Sequence, residues 1–267
     1  MRSASRESYQ AVKAALDTST STVEVGEELL AFAGLLEREP RLRRALSEPA
    51  RSGEERADLA RQLLSGKTSD EAARLIIALV SGRWSRPSEL LDASEQLGVD
   101  VLLASAESTG DLTEVEDELF RFGQIVSGDV RLAAILGDSS MAAERRVALV
   151  RQLLEGKAKP VTVKLAEQAV KGFGGRSFGG SLIRLVELAA ERRLAEIAYV
   201  TAAEPLSEAD EERLVASLSA RYGRQVSLKI TLDPAVLGGL SVRVGADLYD
   251  GTVARRLATV RNALVAK

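Results

Sequence analysis

The residues that could do chemistry gather in two glycine-rich stretches and two acidic runs. Residues 171–181 read KGFGGRSFGGS, and Gly174 to Ser181 fall one residue short of the spacing of a phosphate-binding loop. Gly180 stands where the lysine of such a loop would reach the phosphates, and no strand pattern precedes it. One arginine–glycine segment in a chain of net charge −3 is also a poor nucleic-acid binder. The stretch therefore reads as a connection between two helices. Residues 233–257, DPAVLGGLSVRVGADLYDGTVARRL, hold Asp233, Gly238, Gly239, Gly245, Asp250, Gly251 and Thr252. Adjacent glycines in a strand cost about 0.5–1 kcal/mol each unless a positive φ or a close backbone approach requires them. Asp250-Gly251 suits a turn, so this stretch reads as a hairpin followed by a turn.

The carboxylates Glu114, Glu116, Asp117 and Glu118 stand together, as do Glu208, Asp210, Glu211 and Glu212. Both runs fall in the first turn of a predicted helix, where acids complement the helix dipole. Nothing in their spacing marks a buried acid pair with divided roles, so solvated faces are expected. Arg38, Arg41, Arg43 and Arg44 form a basic cluster that reads as a solvated face or a partner contact. The chain contains no histidine and no cysteine. That excludes a Ser-His-Asp triad, a histidine base, thiolate chemistry and the usual zinc sites. No catalytic residue, cofactor or metal ligand is expected.

Positioning falls to helices. Aromatic residues make up 4% of the 267 residues and hydrophobic residues 45%, so Leu, Val, Ile and Ala must fill the interior. Residues 25–67 and 115–157 align without a gap at an offset of 90, with sixteen of 43 positions identical. The shared run Arg61-Gln62-Leu63-Leu64 matches Arg151-Gln152-Leu153-Leu154. Val25, Leu29, Phe32 and Leu36, and their partners Val115, Leu119, Phe122 and Val126, keep to one helix face. Ser52 with Glu55 predicts a capping box that the second copy loses. Gly66 and Gly156 predict left-handed helix ends. A further helix is expected over residues 88–110 with a break at Gly98, then helices near 160–171 and 179–193.

The pattern changes near residue 194. Residues 196–205 and 225–233 predict strands, LSVRVG a third, with a helix from Ser207 to about Arg221 and a last one over residues 253–265. The fold class is mainly α, a helical bundle with an internal duplication followed by a small C-terminal α/β module. The domains expected are 1–90, 91–193 and 194–267. No apolar run is long enough to span a membrane and the N-terminus lacks a signal-peptide core, so a cytosolic protein is expected.

Val200, Thr201, Ala202, Ala203, Pro205, Leu206 and Ser207 resemble a V-T-S-A-x-P-L-S segment of the delta subunit of bacterial F-type ATP synthases, the oligomycin-sensitivity-conferring protein family. Asp233, Leu237, Gly238, Gly239, Gly245, Asp250, Gly251, Thr252, Arg256 and Leu257 resemble that family's closing signature. The resemblance covers roughly residues 90–267, and the extra N-terminal copy is similar to the long form of actinobacteria. It implies a non-catalytic stator of the peripheral stalk, one copy per complex, at the cytoplasmic face of the cell membrane. The helical domain would hold alpha subunits and the C-terminal module the b subunits, which are expected to be separate chains. The signature residues would be structural or touch b. No cofactor, nucleic acid or direct membrane insertion is implied. The other reading is a general helical scaffold or regulatory protein.

Overall fold

The computed structural model describes residues 2–16, 21–193, 195–236, 238–245, 247–253 and 255. The chain opens with α1 (Ser3–Ala14), α2 (Val23–Arg38), α3 (Pro40–Ser47), α4 (Gly53–Leu64), α5 (Asp70–Ser81) and α6 (Pro87–Ser108). Then follow α7 (Leu112–Gly128), α8 (Val130–Gly137), α9 (Ala143–Leu154), α10 (Pro160–Lys171) and α11 (Phe178–Arg192). Local signals set the ends. Thr22, Ser52, Ser69 and Ser177 cap α2, α4, α5 and α11, and prolines open α3, α6 and α10. The capping box on α4 forms in full, with Glu55 accepting from the Ser52 N–H at 2.6 Å. At the same place on α9 Ala142 offers no side-chain cap.

The duplication is visible in the helices. α3, α4 and α5 begin and end 90 residues before α8, α9 and α10. The same offset carries α1 onto the middle of α6, so α6 closes the first unit and opens the second. Its faces divide accordingly: Leu90, Ala93, Leu97 and Val101 join the first core, Val99, Leu102, Leu103 and Ala106 the second. The boundary expected at 90/91 therefore falls inside one helix.

Gly98 does not break α6, contrary to expectation. It lets α2 approach instead: a Cβ there would meet Leu30 at 2.7 Å, and one on Gly26 of α2 would meet Leu102 at 2.7 Å. The glycine costs helix propensity but permits a close helix crossing.

The C-terminal module consists of β1 (Ala195–Ala202), α12 (Glu208–Tyr222), β2 (Gln225–Leu232), β3 (Leu240–Val244) and β4 (Asp247–Asp250) in the order β2-β1-β3-β4. β1 and β2 are parallel and joined through α12; β3 pairs antiparallel with β1 and β4. Alternation sorts the faces. Ala198, Val200, Val226, Val242 and Val244 meet Leu218 of α12, while Ile197 and Tyr199 join the core of the second helical unit. The sheet is thus covered on both faces. β4 is a strand beyond the three expected, and most of the final helix expected over 253–265 lies outside the described residues.

Candidate functional site

The closing signature is a backbone knot. Gly238 and Gly239 both hold positive φ, +81° and +78°. A Cβ on Gly239 would stand 2.5 Å from the Gly251 carbonyl oxygen, so side chains are excluded by conformation and by space. The Gly251 N–H donates to the Leu240 carbonyl (3.0 Å) and the Val253 N–H to that of Gly238 (3.1 Å). Asp250 accepts from the Thr252 N–H (3.0 Å) and hydroxyl (2.7 Å), bonds that hold its carboxyl below the usual range. Thr252 in turn accepts from the Arg255 N–H at 3.3 Å. Asp233 turns the chain after β2 by accepting from Ala235, and Gly245 (φ +55°) forms the β3–β4 turn. The two glycine groups, twelve residues apart in sequence, are therefore one contact. Leu237, Arg256 and Leu257 lie outside the described residues.

The joint between sheet and helices corrects the reading of the first acidic run. Glu116 is not on a solvated face; its side chain is fully buried. It takes Arg193 at 2.6 Å and Lys229 of β2 at 2.6 Å, and the Ser227 hydroxyl donates to it at 2.9 Å. Lys229, 2% exposed, also reaches Asp117 at 2.6 Å. Such a set is tolerable in the interior because each charge is paired and hydrogen-bonded. Gln124 adds bonds to the Ile230 carbonyl and the Thr231 hydroxyl. Glu118 is engaged as well, accepting the Lys159 N–H at 2.9 Å and the Thr162 hydroxyl at the start of α10. In the second run, at the start of α12, Glu208, Asp210 and Glu212 stay exposed around the Ser207 cap, as expected, and Glu211 is partly buried.

Sequence reading missed Lys229 because it sits at a polar position of an alternating strand, where solvent is the ordinary neighbour. It also missed Arg56 and Arg146, although their identity across the repeat was a usable signal. Arg56 donates to the carbonyls of Val80, Ser81 and Gly82 at the end of α5, and to Glu48 and Arg51 beyond α3. Arg146 reaches the carbonyls of Leu136 and Val170 at the ends of α8 and α10. Each arginine gathers carbonyls that helix ends leave unpaired.

The glycine-rich connection is a turn seated between buried Phe173 and Phe178, with Gly172 in the left-handed region and Glu95 accepting the Gly174 N–H at 3.3 Å. Burial lifts the carboxyl of Glu95, opposed by that hydrogen bond. Burial likewise pushes the Tyr199 hydroxyl up to about 12. Among the described residues no group of three acids is placed to hold a metal ion, and no helix is long and apolar enough to cross a membrane.

A family model described as the ATP synthase delta (OSCP) subunit matches residues 100–264, from the middle of α6 to the end of the signature region. The chain belongs to this family. An ATP synthase subunit delta of Salinispora arenicola is 58% identical over 266 residues, covering 97% of both chains. One from Streptomyces griseus is 45% identical over 262 residues, covering 96% of this chain and 97% of its own. The family match takes in the second unit and the sheet; these two relatives share the first unit too. The protein is a non-catalytic peripheral-stalk subunit of the ATP synthase, with a role in ATP synthesis.

Proposed function

We propose that this OSCP-family chain joins the alpha subunits of the catalytic head to b-type subunits at the cytoplasmic face of the cell membrane, one copy per complex. The helical units hold alpha and the C-terminal module holds b, so the head cannot turn with the central shaft. The observation that carries this reading is the Arg193–Glu116–Lys229–Asp117 chain, whose central Glu116 and Lys229 are buried. A stator must pass torque between its two ends, and a fixed joint between bundle and sheet suits that task. Leu248, 65% exposed on the edge strand β4, and Leu232, 50% exposed at the end of β2, offer apolar surface for b. The signature knot holds the chain between these strands in place. The division of labour follows the units: one helical repeat ending within α6, a second running to residue 193, and the module from 194.

Removing residues 233–267 is expected to release the b subunits from the purified complex while alpha stays bound to the remaining chain. Coupled ATP synthesis is expected to be lost. A truncated chain that still retained b and supported synthesis would overturn the assignment.

A further inference from the structure

One turn along α7 from Glu116 the joint opens into a crevice of about 510 Å³ between α7, α11 and the sheet. Small-molecule sites commonly measure roughly 300–1,000 Å³ and lie where domains meet. Phe120, Leu182, Ile183 and Val186 make its wall apolar, and Ile183 is 50% exposed.

Two glycines keep it open. Gly123 stands in the middle of α7 and Gly179 in the first turn of α11. Neither holds a positive φ. A Cβ on Gly179 would meet nothing within 4 Å, and one on Gly123 would make ordinary contact with Leu182 at 3.7 Å. The first unit carries Ala33, a better helix former, at the place of Gly123. Backbone and packing therefore require neither glycine, and both line the crevice.

The polar groups of the lining are short of acceptors. The Tyr199 hydroxyl is buried without a hydrogen-bond partner among the described residues, and burial keeps its proton on. Arg243, the one charged residue in the described lining, stacks on the Tyr199 ring at 4.8 Å and makes no ion pair among the described residues. The Gln124 amide is spent on β2. Glu187, Glu191 and Glu196 line the neighbouring crevice instead, and each lies within 4 Å of Arg184 or Arg224. An apolar wall thus meets two donors, and a buried donor gains most from an acceptor brought to it.

We propose that this crevice binds one small apolar molecule headed by an acceptor oxygen, a fatty-acid-like carboxylate, seated against Tyr199 and Arg243. Held there, the molecule touches α7, α11 and the sheet together, so its binding stabilises the joint. The site holds whichever subunits the chain joins.

Isothermal titration of the full-length chain with sodium decanoate is expected to show one site. Gly179→Leu should fill the space and weaken binding at least tenfold, with the urea midpoint no lower. Tyr199→Phe and Arg243→Gln should each weaken it about three- to tenfold, and Tyr199→Phe should leave the chain no less stable. Decyltrimethylammonium, with the same tail and no acceptor, should bind at least tenfold more weakly. No saturable binding, unchanged affinity in Gly179→Leu, or equal affinity for the two probes would overturn the proposal. The absence of cysteine allows a second readout, maleimide labelling of Ile183→Cys. Decanoate is expected to slow it at least threefold in the free chain and in the purified ATP synthase. Labelling tenfold slower in the complex before decanoate is added would give the crevice to another subunit. Labelling tenfold faster in a chain ended at residue 255 would give it to the chain's own last residues. Either result would overturn the proposal.

Discussion

Gly26 and Glu116 occupy the same place in the two helical units, 90 residues apart on α2 and α7, and do opposite work. In the first unit the missing side chain lets α2 close onto Leu102 of α6. In the second unit the carboxylate spans to Arg193 beyond α11 and to Lys229 on the sheet. The neighbouring acids follow suit: Glu27 pairs with Lys164 of the second unit, and Asp117 with Lys229 of the sheet. The first unit is sealed from within, where Tyr9 and Lys13 of α1 converge on buried Asp100 and Ser5 bonds Glu89. The second has Val99 at the place of Tyr9 and is braced from outside. One helical plan serves as a closed block and as a socket, and few positions separate the two.

The largest effect is expected at that socket. Glu116→Ala leaves Lys229 and Arg193 short of a partner in the interior, and should cost about 3–5 kcal/mol in urea unfolding of the full chain. Replacing both partners with apolar residues, Glu116→Leu with Lys229→Met, should recover most of the loss. If the pair of changes is as damaging as the single one, charge is not what seats the sheet. Next come the arginines. Arg56→Ala removes a donor from five carbonyls and should cost roughly 3 kcal/mol, whereas Arg146→Ala removes one from two and should cost about half that. Equal losses would mean that the closed and open units are held alike.

Gly26→Val should destabilise by about 1–3 kcal/mol through overpacking against Leu102, measured by the urea midpoint. A neutral result would show that the α2–α6 crossing is looser than the structure places it. The smallest effects concern the cap present in one unit only. Ser52→Ala should cost about 1 kcal/mol, and Ala142→Ser should return about 0.5–1 kcal/mol to the second unit. Amide exchange at the first turns of α4 and α9 would report both.

The repeat, the helix ends at Gly66 and Gly156, and the turn to strands after residue 194 were legible because each rests on local spacing. The double use of α6 was not. A helix serving two cores is buried on more than one face, so its pattern names no single one, and Gly98 within it imitates a break. Glu116 was illegible for a related reason: an acid near the start of a helix looks the same in sequence whether water or a buried lysine answers it. The signature was legible as an unusual set, and Gly239 against the Gly251 carbonyl supplies the reason for its spacing.

The central claim is that Glu116 and Lys229 lock the sheet to the second unit. A double-mutant cycle on Glu116→Ala and Lys229→Ala in the full-length chain tests it most directly, with stability read from urea unfolding. A coupling of about 2 kcal/mol or more is expected, within the range measured for buried partners of one network. Losses that simply add would contradict the lock and, with it, the rigid joint on which the stator reading rests.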